Sequence, residues 1–335
     1  MDKKISIYDI ADYLNISAAT VSYVINGVPK VSEKTKEKVL NAIKELGYVP
    51  NYAARALSTG KSELIGVLLP LTDVSIGFVQ NPFYSEFIAG FEEGISSHNY
   101  DVVIGAINNI DDVDIWVKSR DLAGVVIIGS LKDEILEQLK KLTIPIVLID
   151  NYSASSEEFN SVKSDVYKGT YLATKYLIEK GHQRIGFAGN PYKYPIDNLR
   201  FSGFLKALNE NNLAFDEVNL FIADATYSDG YQVADLVFAN SQVKALVCAG
   251  DMLAIGILKK ALELHKNIPA DLSIVGYDDI FNSRLTYPSL TTVRQHIGLK
   301  GQKAADIIMN VIENGQEGPV ILNLEPELIE RDSVI

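Results

Sequence analysis

Ile7-Tyr8-Asp9-Ile10-Ala11-Asp12-Tyr13-Leu14-Asn15-Ile16-Ser17-Ala18-Ala19-Thr20-Val21-Ser22-Tyr23-Val24-Ile25-Asn26-Gly27 carries two short amphipathic segments separated by a break. Ile7, Ile10, Ala11 and Leu14 recur at spacings of three and four, so Tyr8 to Leu14 makes a short helix with one buried face. Asn15-Ile16-Ser17 interrupts it. Ser17 then stands as N-cap of a second helix over Ala18 to Asn26, which Gly27 stops. Two short helices at this spacing form a helix-turn-helix. Ile16, Val21, Val24 and Ile25 turn inward, leaving Ala18, Ala19, Ser22, Tyr23 and Asn26 outward with small, polar or aromatic tips suited to base edges. A third helix begins at Ser32 with the capping pattern Ser-Glu-Lys-Thr, buries Val39, Leu40, Ile43 and Leu46, and ends at Gly47.

Around this head the chain is long. With 335 residues and 47% hydrophobic composition it exceeds one compact core and can bury two or three domains. No window approaches the roughly 18 apolar residues that span a bilayer, and Met1 to Ile10 lacks the apolar run of a signal peptide, so no membrane association and a cytoplasmic location are expected. The single cysteine, Cys248, lies in the apolar run Ala245 to Ala249 and reads as a buried strand residue. Residues 1–61 carry nine lysines and arginines against six acids, a net of +3, which leaves −15 on the rest of a chain whose total is −12. A basic head on an acidic body favours one docking orientation on phosphates.

The exit from the third helix, Gly47-Tyr48-Val49-Pro50-Asn51-Tyr52-Ala53-Ala54-Arg55-Ala56-Leu57, makes the reading specific. Together with Ile7-Tyr8-Asp9-Ile10-Ala11, Thr20-Val21-Ser22 and Val31-Ser32, in this order and spacing, it resembles the lactose/galactose repressor (LacI/GalR) family, and the likeness covers essentially the whole chain. The resemblance implies a hinge helix at Ala53 to Ser58, ordered against its copy in a dimer on DNA, with Leu57 as a minor-groove wedge. It assigns DNA contacts to Ser6, Ile7, Ser17, Ala18, Ala19, Thr20, Ser22, Tyr23, Asn26, Lys30, Ser32, Thr35, Asn51, Ala54, Arg55 and Leu57. One departure matters: many members carry at Tyr23 an arginine able to read guanine bidentately, so their operator sequence does not transfer.

From Leu64 short apolar strands alternate with helices, including Leu64 to Leu69, Gly124 to Ile128, Ile146 to Ile149, Ile185 to Ala188, Ala245 to Cys248 and Ile274 to Tyr277. Continuous apolar strands belong to parallel sheets covered on both faces. The expected fold class is α/β: an all-helical helix-turn-helix head plus a two-lobed, doubly wound core, periplasmic-binding-protein-like by the family resemblance. The expected domains are 1–49 for the DNA-binding head, 50–61 for hinge helix and linker, and 62–335 for the effector-binding and dimerisation core. Within the core the first lobe takes about 62–160 and 290–320, the second about 161–289 and 321–335.

The family binds its effector between such lobes. By that pattern Arg200 is the first candidate, its planar fork suiting vicinal hydroxyls or a carboxylate. Asp278 follows, because a carboxylate accepts two hydroxyl protons. Phe83 and Tyr84 offer ring faces, and Asp150, Gln295, Tyr194 and Asp251 complete the set, although Asp251 also fits as the N-cap of Met252 to Leu262 and Phe83 as core. Ala225 stands where relatives often carry an aromatic residue, with Tyr227 close by, and Gly250 replaces a common asparagine, so the pocket has its own shape. Phe83, Phe87, Phe91 and Ile95, with Ile88 alongside, form an apolar stripe that either serves a two-fold dimer or covers the sheet.

Enzyme signatures are missing: no Walker loop, no G-x-S-x-G, no G-x-G-x-x-G after a strand and no His-x-x-x-His. The histidines His98, His182, His265 and His296 are scattered, and neither a metal nor a cofactor is expected. A solute-binding protein or an enzyme on the same two-lobed fold are the rival classes; the first has no use for a helix-turn-helix and the second lacks reactive groups. The expected function is a repressor of a carbohydrate-utilisation operon that binds a pseudo-palindromic duplex as a homodimer. A small effector, a sugar, controls it as inducer or corepressor. A nucleobase-responsive or partner-protein-responsive regulator, and a sugar-binding protein without regulatory role, are the alternatives.

Overall fold

A computed structural model describes residues 5–25, 27–48, 62–69, 81–106, 111–315 and 318–335. The chain divides between Glu63 and Leu64 into two compact units.

In the first unit α1 (Ile7–Leu14), α2 (Ala18–Ile25) and α3 (Glu33–Leu46) pack around Ile10, Ala11, Val21, Val24, Val39 and Ala42. The local chemistry sets each boundary. Ser6 caps α1 through a capping box with Asp9, and Asn15 leaves the helix in the left-handed region at φ 51°. The Ser17 hydroxyl accepts the Thr20 N–H at 3.1 Å and the Ser32 hydroxyl that of Thr35 at 3.3 Å, each such cap stabilising its helix by about 1 kcal/mol. Gly47 closes α3 at φ 65°, where any Cβ would be strained. Leu40 departs from expectation: it is 43% exposed, and Ala42 takes its place in the core because three short helices leave room for only a narrow stripe. Asn26 and the hinge-helix assignments at Asn51, Ala54, Arg55 and Leu57 lie outside the described residues.

The second unit holds two six-stranded sheets. In chain order its elements are β1 (Leu64–Leu69), α4 (Pro82–Ser96), β2 (Asp101–Ala106), α5 (Asp111–Ser119), β3 (Gly124–Ile128), α6 (Asp133–Leu139), β4 (Ile146–Ile149), β5 (Asn160–Ser164), α7 (Val166–Glu179), β6 (Ile185–Ala188), α8 (Pro195–Glu210), β7 (Leu220–Phe221), α9 (Tyr227–Ala239), β8 (Ala245–Cys248), α10 (Asp251–Glu263), β9 (Ser273–Asp278), β10 (Thr291–Arg294), α11 (Ile297–Asn314), β11 (Ile321–Leu324) and β12 (Glu327–Ile329). The first sheet runs β11-β5-β4-β3-β1-β2 and is parallel throughout. The second runs β12-β10-β9-β8-β6-β7, parallel except for the β10–β12 pair. β3, β4, β6 and β8 are buried along their whole length because helices cover both faces, which is why their sequences are unbroken apolar runs. Cys248 is one of these buried strand residues.

The lobes divide later than expected. β5 and β11 pair in the first sheet and β10 in the second, so the crossings follow Ser164, Arg294 and Leu324 rather than residues near 160, 289 and 320. Ladder partners decide membership, as when β5 pairs Ser161 with Leu148 and Ile321 on either side, and no local apolar pattern encodes them. The apolar stripe of α4 serves its own lobe. Phe87, Phe91 and Ile95 are fully buried and pack with Ile297, Ala304 and Ile308 of α11. The two helices touch backbone to backbone, since a Cβ on Gly90 would fall 2.1 Å from the Gly298 carbonyl oxygen. Sheet-covering therefore accounts for the stripe, and its buried members are unavailable to a dimer partner. Among the described residues no helix is long and apolar enough to cross a membrane.

Candidate effector cleft and DNA-reading helix

On the head, α2 turns Ala19 and Tyr23 outward as expected, whereas Ala18 packs against the helical core. Ala19 is exposed, Ala18, Thr20 and Ser22 are half-buried, and Tyr23 is 38% exposed with the Lys30 ammonium 5.5 Å above its ring. Ser6 and Ile7 are half-buried at the start of α1, and Ser32 and Thr35 at the start of α3 are exposed and half-buried. The caps occupy some of these hydroxyls: Ser17 and Thr20 bond one another at 2.8 Å, as do Ser32 and Thr35 at 3.0 Å.

In both sheets the strand order reverses next to the first strand of the lobe, β1 and β6, and parallel sheets leave a crevice at the carboxyl ends of the strands around such a switch. A cavity of about 410 Å³ opens there, lined by Ile128, Gly129 and Ser130 after β3 and by Asn190 and Ala249 after β6 and β8. Its volume lies within the roughly 300–1,000 Å³ usual for small-molecule sites. Seven of the eight candidates come together on its wall: Phe83, Tyr84, Asp150, Tyr194, Arg200, Asp278 and Gln295.

Arg200 is the unusual group. It is buried, its guanidinium lies 4.7 Å from the Tyr277 ring centroid, and its nearest carboxylates are Asp197 at 3.6 Å and Asp278 at 3.9 Å. Both exceed hydrogen-bonding distance, and Nε has no partner. Burial works to lower its pKa, but Asp278, Tyr277 and Asp197 outweigh burial and raise it. Burial also pushes the Asp278 carboxyl up to about 6, against the opposing pull of Arg200, Gln295 and Lys300. Burial raises the Asp197 carboxyl despite Arg200. Among the described residues the Arg200 guanidinium is therefore a strong donor group that no carboxylate holds within hydrogen-bonding distance. Across the mouth, Tyr84 is raised first by burial and then by the proximity of Tyr194.

The eighth candidate is corrected. Asp251 does not line the cavity; it is fully buried, accepting the Ile280 N–H at 3.0 Å, the Ser283 hydroxyl at 2.6 Å and the Thr292 hydroxyl at 2.5 Å. The N-cap of α10 is Gly250, so the Asp251 carboxylate reaches past its own helix to hold the segment after β9 against β10. Burial and the neighbouring Asp278 raise its pKa well above the usual carboxylate range. Tyr227 also stays off the cavity wall, stacking on Tyr231 at 6.5 Å. Residue-by-residue reading missed Asp197, though its i, i+3 spacing to Arg200 was visible. It also missed Tyr152, whose single hydroxyl proton is shared between the Ser164 carbonyl at 2.8 Å and Asp150 Oδ1 at 3.1 Å. Lys300, fully buried on α11, had one signal: it shares the inward stripe with Ile297, Ala304 and Ile308.

With this geometry in place, comparison is informative. Residues 6–51 match the bacterial regulatory proteins of the lacI family, and residues 174–334 match the periplasmic binding protein-like domain. The chain is 35% identical to the HTH-type transcriptional regulator RegA of Clostridium saccharobutylicum, over 98% of this chain and 99% of that one. Its structure superposes on the lac repressor dimer bound to operator and the anti-inducer ONPF with a TM-score of 0.85 at 27% identity, covering 99% of this chain and 100% of the other. On a complex of the transcriptional regulator CelR with cellobiose the TM-score is 0.75 at 26% identity, covering 98% and 99%. The chain belongs to the lacI family of bacterial regulatory proteins. It is a DNA-binding transcriptional regulator with an effector-type core, and its relatives are regulators rather than enzymes.

Proposed function

We propose that the protein represses a carbohydrate-utilisation operon by binding a pseudo-palindromic operator as a homodimer, and that a sugar in the interlobe cleft controls its grip. DNA is read by α2 through Ala18, Ala19, Ser22, Tyr23 and Asn26. Ser6, Ile7, Ser17, Thr20, Lys30, Ser32, Thr35, Asn51, Ala54 and Arg55 contact the duplex around it, Arg55 near phosphates, and Leu57 is the minor-groove wedge. The effector is held by Arg200 and Asp278, with Asp150, Gln295 and Tyr194 around it and Phe83 and Tyr84 against its ring.

The observation that carries the effector assignment is the buried Arg200 fork, which among the described residues has no carboxylate within 3.5 Å and an unpaired Nε, and which faces the cavity beside an acidic acceptor. Vicinal hydroxyls satisfy donor and acceptor together. The cellobiose complex of one structural relative and the operator-bound dimer of another support the ligand class and the assembly. A nucleobase is the second reading, favoured by Tyr84 and Tyr194, which line the cavity and lie close enough to influence one another, a pair of ring faces on which a flat base would stack.

A thermal-shift screen of the full chain against mono- and disaccharides, sugar phosphates and nucleobases separates these, since a ligand at 100 times its Kd stabilises the native state by about 2.7 kcal/mol. A shift with a sugar that also changes operator affinity sustains the proposal. A response only to a nucleobase transfers it to the second reading. Selection from random duplexes that yields no symmetric site overturns the operator assignment.

A further inference from the structure

Lys300 is an anomaly of the second unit: a lysine with no exposed surface, on a helix otherwise packed by aliphatic residues. It does not touch the cavity, sitting behind Phe83 with its ammonium 5.5 Å from the ring centroid. Its hydrogen bonds go to Asp150 Oδ2 at 2.5 Å and to the side-chain oxygen of Gln295. An ammonium only donates, so the Gln295 amide must turn its oxygen towards Lys300 and its NH2 away. The NH2 then meets Asp278 Oδ1. This chain starts on α11 in the first lobe, passes through the crossing after β10 and ends at the tip of β9 in the second lobe.

We infer that Lys300 is a positioning residue of the cleft, acting from the first lobe through the Gln295 amide to fix how Asp278 of the second lobe faces the cavity. The consequence for effector binding rests on the proposed function above, but the relay itself is a property of the unliganded chain. Without Lys300 only Asp278 itself still favours the NH2-inward amide, so the orientation is no longer held from both ends, and a flipped Gln295 would set its oxygen against the Asp278 carboxylate. Burial and Asp150 oppose the ionised form of that carboxyl, and relay and charge act together against them, with Arg200, the Gln295 hydrogen bond and Lys300 favouring it. Ionised, it is acceptor-only and suits hydroxyl donors; protonated, it competes with them.

The test is a carbon-detected titration of Asp278 in the effector-free full chain, its resonance assigned with Asp278→Asn. The midpoint lies near 6 in the parent and is expected to rise by about one pH unit or more in Lys300→Met, and to return in Lys300→Arg. Gln295→Leu is expected to raise it as well, and the double variant to add less than the sum, because both act through one amide. If the loss of the Asp150 partner prevents Lys300→Met from folding, Lys300→Gln removes the charge but keeps a donor for the Gln295 oxygen, so its midpoint is expected to rise less than that of Gln295→Leu, and an equal rise overturns the inference. An unchanged midpoint overturns the inference. Strictly additive shifts overturn it too, since they mean that Lys300 acts through space rather than through Gln295. No effector enters the titration, so a failed sugar assignment leaves its result standing and a failed relay leaves the sugar assignment standing.

Discussion

Replacing Asp251 by alanine distinguishes a latch from a ligand contact. The carboxylate accepts three hydrogen bonds, from the Ile280 N–H and the hydroxyls of Ser283 and Thr292, all in buried surroundings. Each donor left without a partner costs about 1–3 kcal/mol. Part of this is offset because the variant no longer buries a carboxyl whose charged form is penalised by burial and by Asp278. Taking about 1 kcal/mol for each donor after that offset gives a loss of about 3 kcal/mol, or a fall in melting temperature of roughly 6–12 °C at the 2–4 °C per kcal/mol typical of units of 150–250 residues. Asp251→Asn keeps one acceptor oxygen, and if it takes the Oδ2 place it forfeits only the Thr292 bond, so its loss should be about a third as large. Because Asp251 does not line the cavity, the affinity for the sugar selected by the screen should stay within about twofold in the folded protein, where a single lost polar contact would alter it by about tenfold. Differential scanning calorimetry at neutral pH reads the first quantity and titration calorimetry the second. An Asp251→Ala protein that melts with the parent but no longer binds effector would refute the reasoning.

Three further outcomes are expected. The Asp278 carboxyl is raised from 3.8 to about 6 in the folded chain, so its contribution to stability is fully present below pH 3.8 and is lost as pH rises through about 6. The loss is on the order of 3 kcal/mol for this group, and urea titrations between pH 4 and 7 should show a decline that is smaller by about this amount in Asp278→Asn, the raised carboxyls of Asp197 and Asp251 supplying any remainder. Arg200→Leu should leave specific operator binding intact and reduce sugar affinity by at least 100-fold, on the order of 3 kcal/mol for a hydrogen bond to a charged group in a buried site; unchanged calorimetric affinity would remove Arg200 from the site. On the head, Tyr23→Arg should shift the preferred duplex towards guanine at one symmetric position per half-site by about 1–3 kcal/mol, as read by selection from random DNA, and an unchanged preference would mean that Tyr23 does not read bases.

What the sequence determined by itself is local. Caps at Ser6, Ser17 and Ser32, the left-handed Gly47 and the apolar spacing of Ile10, Val21, Val24 and Val39 define the head from nearest neighbours alone, because hydrogen bonds within four residues and one shared stripe suffice to form it. The unbroken runs of β3, β4 and β8 likewise announce strands covered on both faces. Seven cleft residues were legible because the family resemblance assigns them; Asp150, Asp278 and Gln295 lie at strand ends that parallel sheets deliver to one crevice, whereas Phe83, Tyr84, Tyr194 and Arg200 lie on or just before helices beside it. Tertiary structure decided the rest. That β5 and β11 share a sheet depends on ladder partners more than a hundred residues apart, as with Ser161 and Ile321, and β10 joins the other sheet through its ladders to β9 and β12. Asp251 looks like a cleft residue at a strand end until its carboxylate is seen reaching for Ile280, Ser283 and Thr292. Lys300 looks like an ordinary charged position, since a lysine defaults to solvent unless something inside takes its charge. Only the folded chain brings Asp150 to its ammonium, across 150 residues of sequence, and burial of that pair depends on the packing of every element between them.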